Sequence, residues 1–196
     1  MSMCLAMCTL SDENARKVLA DSPLIWKVIA PEDPEPYESA RQGSGGFLSR
    51  LFGGGKAAPA AELKLDEVAH ADLDKAWHGI HYMLTRTAWE GDPPLNFILL
   101  GGSEVGQIDV GYGTARVFSS AEVQALHAAL SPIDEAFLRQ RFNPPEMMEL
   151  EIYPEIWDRD PAEDDTFGYC AEYFGTLKEF VAGAAQRRLG LVFYLS

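Results

Sequence analysis

Asp72-Leu73-Asp74-Lys75-Ala76-Trp77-His78-Gly79-Ile80-His81-Tyr82-Met83-Leu84-Thr85 decides how this chain is read. Leu73, Trp77, Ile80 and Leu84 stand at i, i+4, i+7 and i+11. That is one apolar stripe at a period of 3.6, so the spacing predicts a helix buried along it. Two of the four histidines and a phenol, His78, His81 and Tyr82, lie beside the stripe. His81 shares a flank with Trp77 and Thr85 and is expected to face inward. His78 is expected to be the more exposed of the two.

Upstream of this helix, residues 2–9 read as a strand leading into a helix that Ser11 caps, with Asp12 and Glu13 in its first turn. That helix stops near Ser22-Pro23. Leu24–Ile29 is either a buried strand or a short helical turn, since periodicity cannot choose between them. From Pro31 to about Ala61 the composition turns to proline and glycine and reads as an insertion. Inside it Phe47, Leu48, Leu51 and Phe52 predict one helical turn docked on the body or on a partner. Gly54-Gly55-Lys56 lacks the fixed frame of a phosphate loop.

Downstream, Leu95–Leu100 reads as a buried strand, and 103–114, with glycines at 106, 111 and 113, as an irregular loop. Ala115–Phe118 reads as a short strand. Ser119 and Glu122 form a capping box opening a helix to about Leu130. Ser131-Pro132 is expected to start the next helix and Asn143-Pro144-Pro145 to end it. A long helix is expected to run to Arg188, with Gly190 just past its end and Leu191–Leu195 as a closing strand. There is no regular strand–helix–strand alternation and no repeat. The expected class is α+β: one compact domain over 1–196, a small mixed sheet packed with several helices, a long C-terminal helix and a closing strand, with a Gly/Pro-rich insertion at about 31–61.

Composition narrows the function. The chain has 196 residues, 47% of them hydrophobic, and a formal net charge of −14. A field of that sign repels phosphate backbones and anionic membrane surfaces, so neither nucleic acid nor membrane is an expected partner, whereas a basic protein is. Cys4, Cys8 and Cys170 form no C-x-x-C and have no zinc spacing with histidine, so reduced cysteines in a cytoplasmic protein are expected. The first residues are apolar but lack a basic region, and the apolar run is too short for a leader, so none is expected. No metal or cofactor is expected.

Four short motifs occur in order: Asp74-Lys75-x-Trp77-x-x-x-His81, Leu99-Leu100-Gly101-Gly102, Asp109-x-Gly111-Tyr112-Gly113 and Glu151-Ile152-Tyr153-Pro154. With the Met-Ser-Met start they resemble the bacterial YfbM-like family, domain of unknown function 1877, over residues 1–20 and about 62–196. The resemblance implies a compact α+β cytoplasmic domain. It carries no catalytic residues to transfer.

Two functional readings follow from the residues. An acidic, aromatic surface around Glu151, Tyr153 and Trp157 suits a non-enzymatic protein-binding domain, immunity-type or regulatory. The alternative is a small enzyme or ligand-binding protein using a cleft lined by His81, Glu104, Asp109, Tyr112 and Glu151, in which carboxylates and an imidazole would orient a ligand. The catalytic frames fail: Gly101-Gly102-Ser103-Glu104-Val105 is not a nucleophile elbow, and His78/His81 at i, i+3 lack a third ligand at a recognisable spacing. An enzyme is therefore the less favoured reading.

Overall fold

The computed structural model describes residues 2–44, 62–65 and 68–196. β1 (Leu5–Leu10) runs into α1 (Asp12–Ala20). The Ser11 hydroxyl accepts from the Asn14 amide at the start of α1, and Asp12 and Glu13 complement its dipole. A 3-10 turn at Ser22–Leu24 leads into α2 (Ile25–Ile29), so this ambiguous run is helical. α3 (Glu35–Ser44) falls within the segment whose composition suggests a linker. Phe47, Leu48, Leu51 and Phe52 lie outside the described residues.

β2 (His70–Asp72) precedes α4 (Trp77–Thr85), the helix that the opening stripe predicts. Its end is closed by Arg86 in the left-handed region (φ 64°), whose guanidinium pairs with Glu146. β3 (Ser103–Asp109) and β4 (Thr114–Phe118) then form a hairpin. The 103–114 segment is thus a strand and a turn rather than an irregular loop. Gly106 (φ 59°) lies where the register shifts between the Glu104 and Asp109 pairs, as a bulge requires. Leu95–Leu100, expected as a strand, is a series of turns in which the Leu99 and Leu100 amides donate to the Asn96 carbonyl. The carbonyls of Phe97, Ile98 and Leu100 are taken by an arginine from β4, described below.

α5 (Ser120–Leu130) carries the full capping box, with the Ser119 amide donating to Glu122 at 2.7 Å. α6 (Glu135–Arg141) is capped by Asp134, not by Ser131-Pro132, because the Asp134 carboxylate takes the Phe137 amide at 2.8 Å. α7 (Pro144–Glu149) starts at the prolines that end α6. α8 (Thr166–Arg187) ends on Arg188 in the left-handed conformation (φ 56°). Gly190 instead opens β5 (Gly190–Leu195), where an added Cβ would collide with the Phe118 carbonyl.

Among the described residues, five strands form one sheet in the order β2-β1-β5-β4-β3, and all four pairings are antiparallel. The class is α+β, as read from the sequence. The expected mixed sheet is corrected to an antiparallel one, since each neighbour meets its partner head to tail. Alternation divides the core in two. Leu5, Met7, Phe118, Leu191 and Phe193 pack with α4, α5 and α8. Cys8, Leu10, Val105, Ala115, Val117 and Val192 pack with α1 and α2. Ala71, Met7, Phe193, Arg116 and Glu104 are successive Cα partners across the whole sheet. One row on one face therefore runs from apolar to charged as it reaches the β3 edge.

Candidate functional site

Both histidines of α4 are fully buried. His81 faces inward as its flank predicts, but His78 is equally inaccessible, because two distant segments close over it. Its Nδ1 accepts from the Tyr153 amide at 2.9 Å. The ring proton therefore sits on Nε2, which donates to the Ala88 carbonyl at 2.7 Å. The neutral ring stacks on Trp77 (centroids 4.7 Å apart, 9° between planes) and meets Trp89 at 4.5 Å. Burial lowers its pKa. His78 is a neutral tie between the 86–90 and 151–155 segments.

His81 differs. Neither of its ring nitrogens makes a well-formed hydrogen bond among the described residues. The Glu90 carbonyl lies close enough to favour a proton on the ring, but burial and then the neighbouring His78 outweigh it and bring the pKa down to about 4. His81 is neutral at ordinary pH.

The 151–157 segment is anchored at both ends of its aromatic run. Trp157 is buried, donates from its indole to the Ile152 carbonyl, and packs edge-on against Phe142. It also lies against Gly79, where any Cβ would run into the indole. Tyr153 stacks near Trp77 (5.9 Å), and its hydroxyl accepts from the Met3 amide at 3.0 Å. The Trp77 indole returns a hydrogen bond to the Met3 carbonyl at 3.1 Å. Glu151 and Glu155 flank Tyr153, both exposed and both in the left-handed region (φ 51° and 61°). Beside them Trp89 is 57% exposed, and Glu90 follows it at the surface. Exposed Trp89 and the Glu90, Glu151 and Glu155 carboxylates thus lie on the two segments that His78 ties together.

The remaining residues of the suggested cleft lie elsewhere. Glu104 and Tyr112 line a concavity of about 180 Å³ with Thr114 and Arg116. Arg116 is held by the Phe97, Ile98, Leu100 and Gly101 carbonyls at 2.5–3.2 Å. Burial lowers its pKa to about 10. Asp109 accepts the Gly111 and Gly113 amides on one oxygen, at 2.9 and 3.0 Å, which lowers its own pKa. It borders a different cavity, with Ser22 and Trp26. The structure brings Tyr153 and Trp157 against α4 with Glu151 on the same segment, places Glu104 and Tyr112 together at the β3–β4 edge, and turns the Asp109 carboxylate onto the amides flanking Tyr112, where it borders a different cavity.

Two important residues escape sequence reasoning. Trp89 follows α4 in a stretch with no periodicity, and nothing local marks it as a cover for His78. Arg116 does leave a signal: it is a lone cation in the strand Ala115-Arg116-Val117-Phe118, at a position whose alternation faces the core.

The sequence pattern described as "Domain of unknown function (DUF1877)" matches residues 1–194. The chain belongs to this family. The DUF1877 chain also superposes on the crystal structure of a protein of unknown function, YfbM from Escherichia coli, with a TM-score of 0.65 and 16% sequence identity, covering 98% of this chain and 99% of that one. At that identity the likeness establishes the fold. No curated protein matches the chain. Among the described residues of this DUF1877 chain, no three His, Cys, Asp or Glu side chains converge as metal ligands, and no helix is long and apolar enough to cross a membrane.

Proposed function

We propose that this DUF1877 protein is a non-enzymatic protein-binding domain, immunity-type or regulatory, acting in the bacterial cytoplasm on a basic protein partner. The observation that carries this reading is how the polar groups are used. Arg116 and His78 have hydrogen bonds met within the fold and one Asp109 oxygen is held by two amides, while Glu90, Glu151 and Glu155 are exposed on the two segments that His78 joins, with the exposed Trp89. Groups engaged in this way are less free to orient a substrate, whereas exposed carboxylates and aromatics suit a protein interface. The net charge of −14 favours a cationic partner and disfavours nucleic acid and anionic membranes. A small enzyme or ligand-binding protein has less support, because His81, Glu104, Asp109, Tyr112 and Glu151 do not line one cleft. The test is capture on the immobilised protein from a bacterial lysate treated with nuclease. Stoichiometric retention of a basic protein, released by raising the salt, is the expected result. Retention of nucleic acid or of an acidic protein instead would overturn it.

A further inference from the structure

We propose that the surface made by Trp89, Tyr153 and the Glu90, Glu151 and Glu155 carboxylates is the docking site for an arginine-bearing segment of a basic protein. The inference rests on the binding-domain reading above and assigns its surface and the chemistry it recognises.

Three observations converge on it. The first is order. Through its two ring nitrogens, His78 joins Ala88 to Tyr153, the neighbours and members of the two segments that form the surface. A surface whose parts are already fixed loses little conformational freedom on binding. The second is the open indole. Trp89 lies on His78 at 4.5 Å and is still 57% exposed, so much of the ring faces solvent. Solvent-exposed tryptophan on a pinned segment is a ready platform for a cation, and a planar guanidinium stacks on it as an ammonium does not. The third is charge. Glu90 is adjacent to Trp89, and Glu151 and Glu155 stand two residues either side of Tyr153. Their backbones are tied down, the Glu151 amide to the Met148 carbonyl at 3.1 Å and the Glu155 amide to the Ile152 carbonyl at 2.9 Å. Among the described residues, the ion pairs of the protein leave these three carboxylates out. A fork of guanidinium donors matches such carboxylates while its plane covers the indole.

The test uses a capped oligo-arginine peptide, with oligo-lysine and oligo-glutamate peptides of the same length as comparisons. Binding is followed by calorimetry and by the backbone amide and tryptophan indole resonances of the full chain. The arginine peptide should shift the Trp89 indole and Tyr153 amide signals and leave the buried Trp77 and Trp157 indoles in place. It should bind severalfold more tightly than the lysine peptide. Trp89→Ala should weaken it about three- to tenfold, with unchanged Trp77 and Trp157 signals showing that the fold is kept. Glu151→Gln with Glu155→Gln should weaken it similarly and flatten its salt dependence. Equal affinity for wild type and Trp89→Ala, or for arginine and lysine peptides, overturns this surface while the basic-partner reading stands. No binding of either cationic peptide at low salt overturns both.

Discussion

Two segments carry carboxylates and aromatic rings on an ordered frame, 103–114 and 151–157, and they use them in opposite ways. In the first, Asp109 folds back onto the Gly111 and Gly113 amides and makes the turn between β3 and β4. In the second, Trp157 and Tyr153 are drawn against α4, and Glu151 and Glu155 are left outside. A carboxylate set among glycines is a turn-maker, because its oxygen meets the amides that the turn exposes. A carboxylate between anchored aromatics has no amide to take and remains available to a partner.

The contrast is sharpest in stability. Trp157→Ala removes a buried ring whose indole is hydrogen-bonded and whose edge fills the space over Gly79. It should cost about 3–5 kcal/mol, read as a lowered urea midpoint. A cost below about 1 kcal/mol would mean that the 151–157 segment is not part of the core, and the division between the two segments would collapse.

The second way to break the comparison is acid. His81 has a folded-state pKa of about 4, below the ordinary 6.5, so between these values the unfolded chain binds more protons than the folded one. Stability is therefore complete above about pH 6.5 and falls as the pH drops toward 4. At about 1.4 kcal/mol per pH unit the loss approaches about 3 kcal/mol. His78, lowered in the same direction by burial, adds to it. Urea midpoints measured across this window should fall steeply for wild type and less steeply for His81→Leu. Equal slopes would show that His81 is not held neutral by burial. The acid-sensitive part should be the 86–90 and 151–155 closure over α4, and amide exchange should rise there before it rises in the β3–β4 hairpin.

What could be read from the sequence was what short-range chemistry decides. Ser11, Ser119 and Glu122 cap their helices because the groups they satisfy lie within three residues. Trp77 and Ile80 are core because their spacing matches one helical face. The exposure of His78 was not legible, since its cover comes from Ala88 and from Tyr153, 75 residues away. Leu95–Leu100 and 103–109 exchanged their expected characters for a related reason. The first gives its carbonyls to Arg116 instead of to a neighbouring strand, and the second pairs with β4 despite its glycines. Of the suggested site, the aromatic half was legible as residue types. The separation of Asp109 from Glu151 was not, because strand order is set by long-range pairing that periodicity does not encode.

The hairpin's own dependence on Asp109 sharpens the comparison from the other side. Asp109→Ala removes the acceptor for the Gly111 and Gly113 amides, so hydrogen exchange at both should accelerate while the 151–157 amides are unaffected. Asp109→Asn keeps a carbonyl oxygen in the same place and should preserve most of the protection. Spread of the effect to Tyr153 or Trp157 would join two segments that the structure separates.

The smallest expected effect is at Tyr112, and it is informative because it is small. Tyr112 is 41% exposed and lies at the tip of the hairpin, with its amide bonded to the Leu195 carbonyl at 3.1 Å. Its backbone closes the hairpin against β5, and the residue lines the concavity shared with Glu104 and Arg116. Tyr112→Ala keeps the amide and removes the ring. It should change stability by less than about 0.5 kcal/mol, the range of surface substitutions away from special features. It should also leave cationic-peptide binding at the Trp89 surface unchanged. The same experiment at Trp157 removes a ring of comparable kind with an effect several times larger. If Tyr112→Ala instead weakened peptide binding as much as Trp89→Ala does, the β3–β4 edge and the Trp89 surface would have to share one ligand, and the contrast drawn between the two segments would be lost.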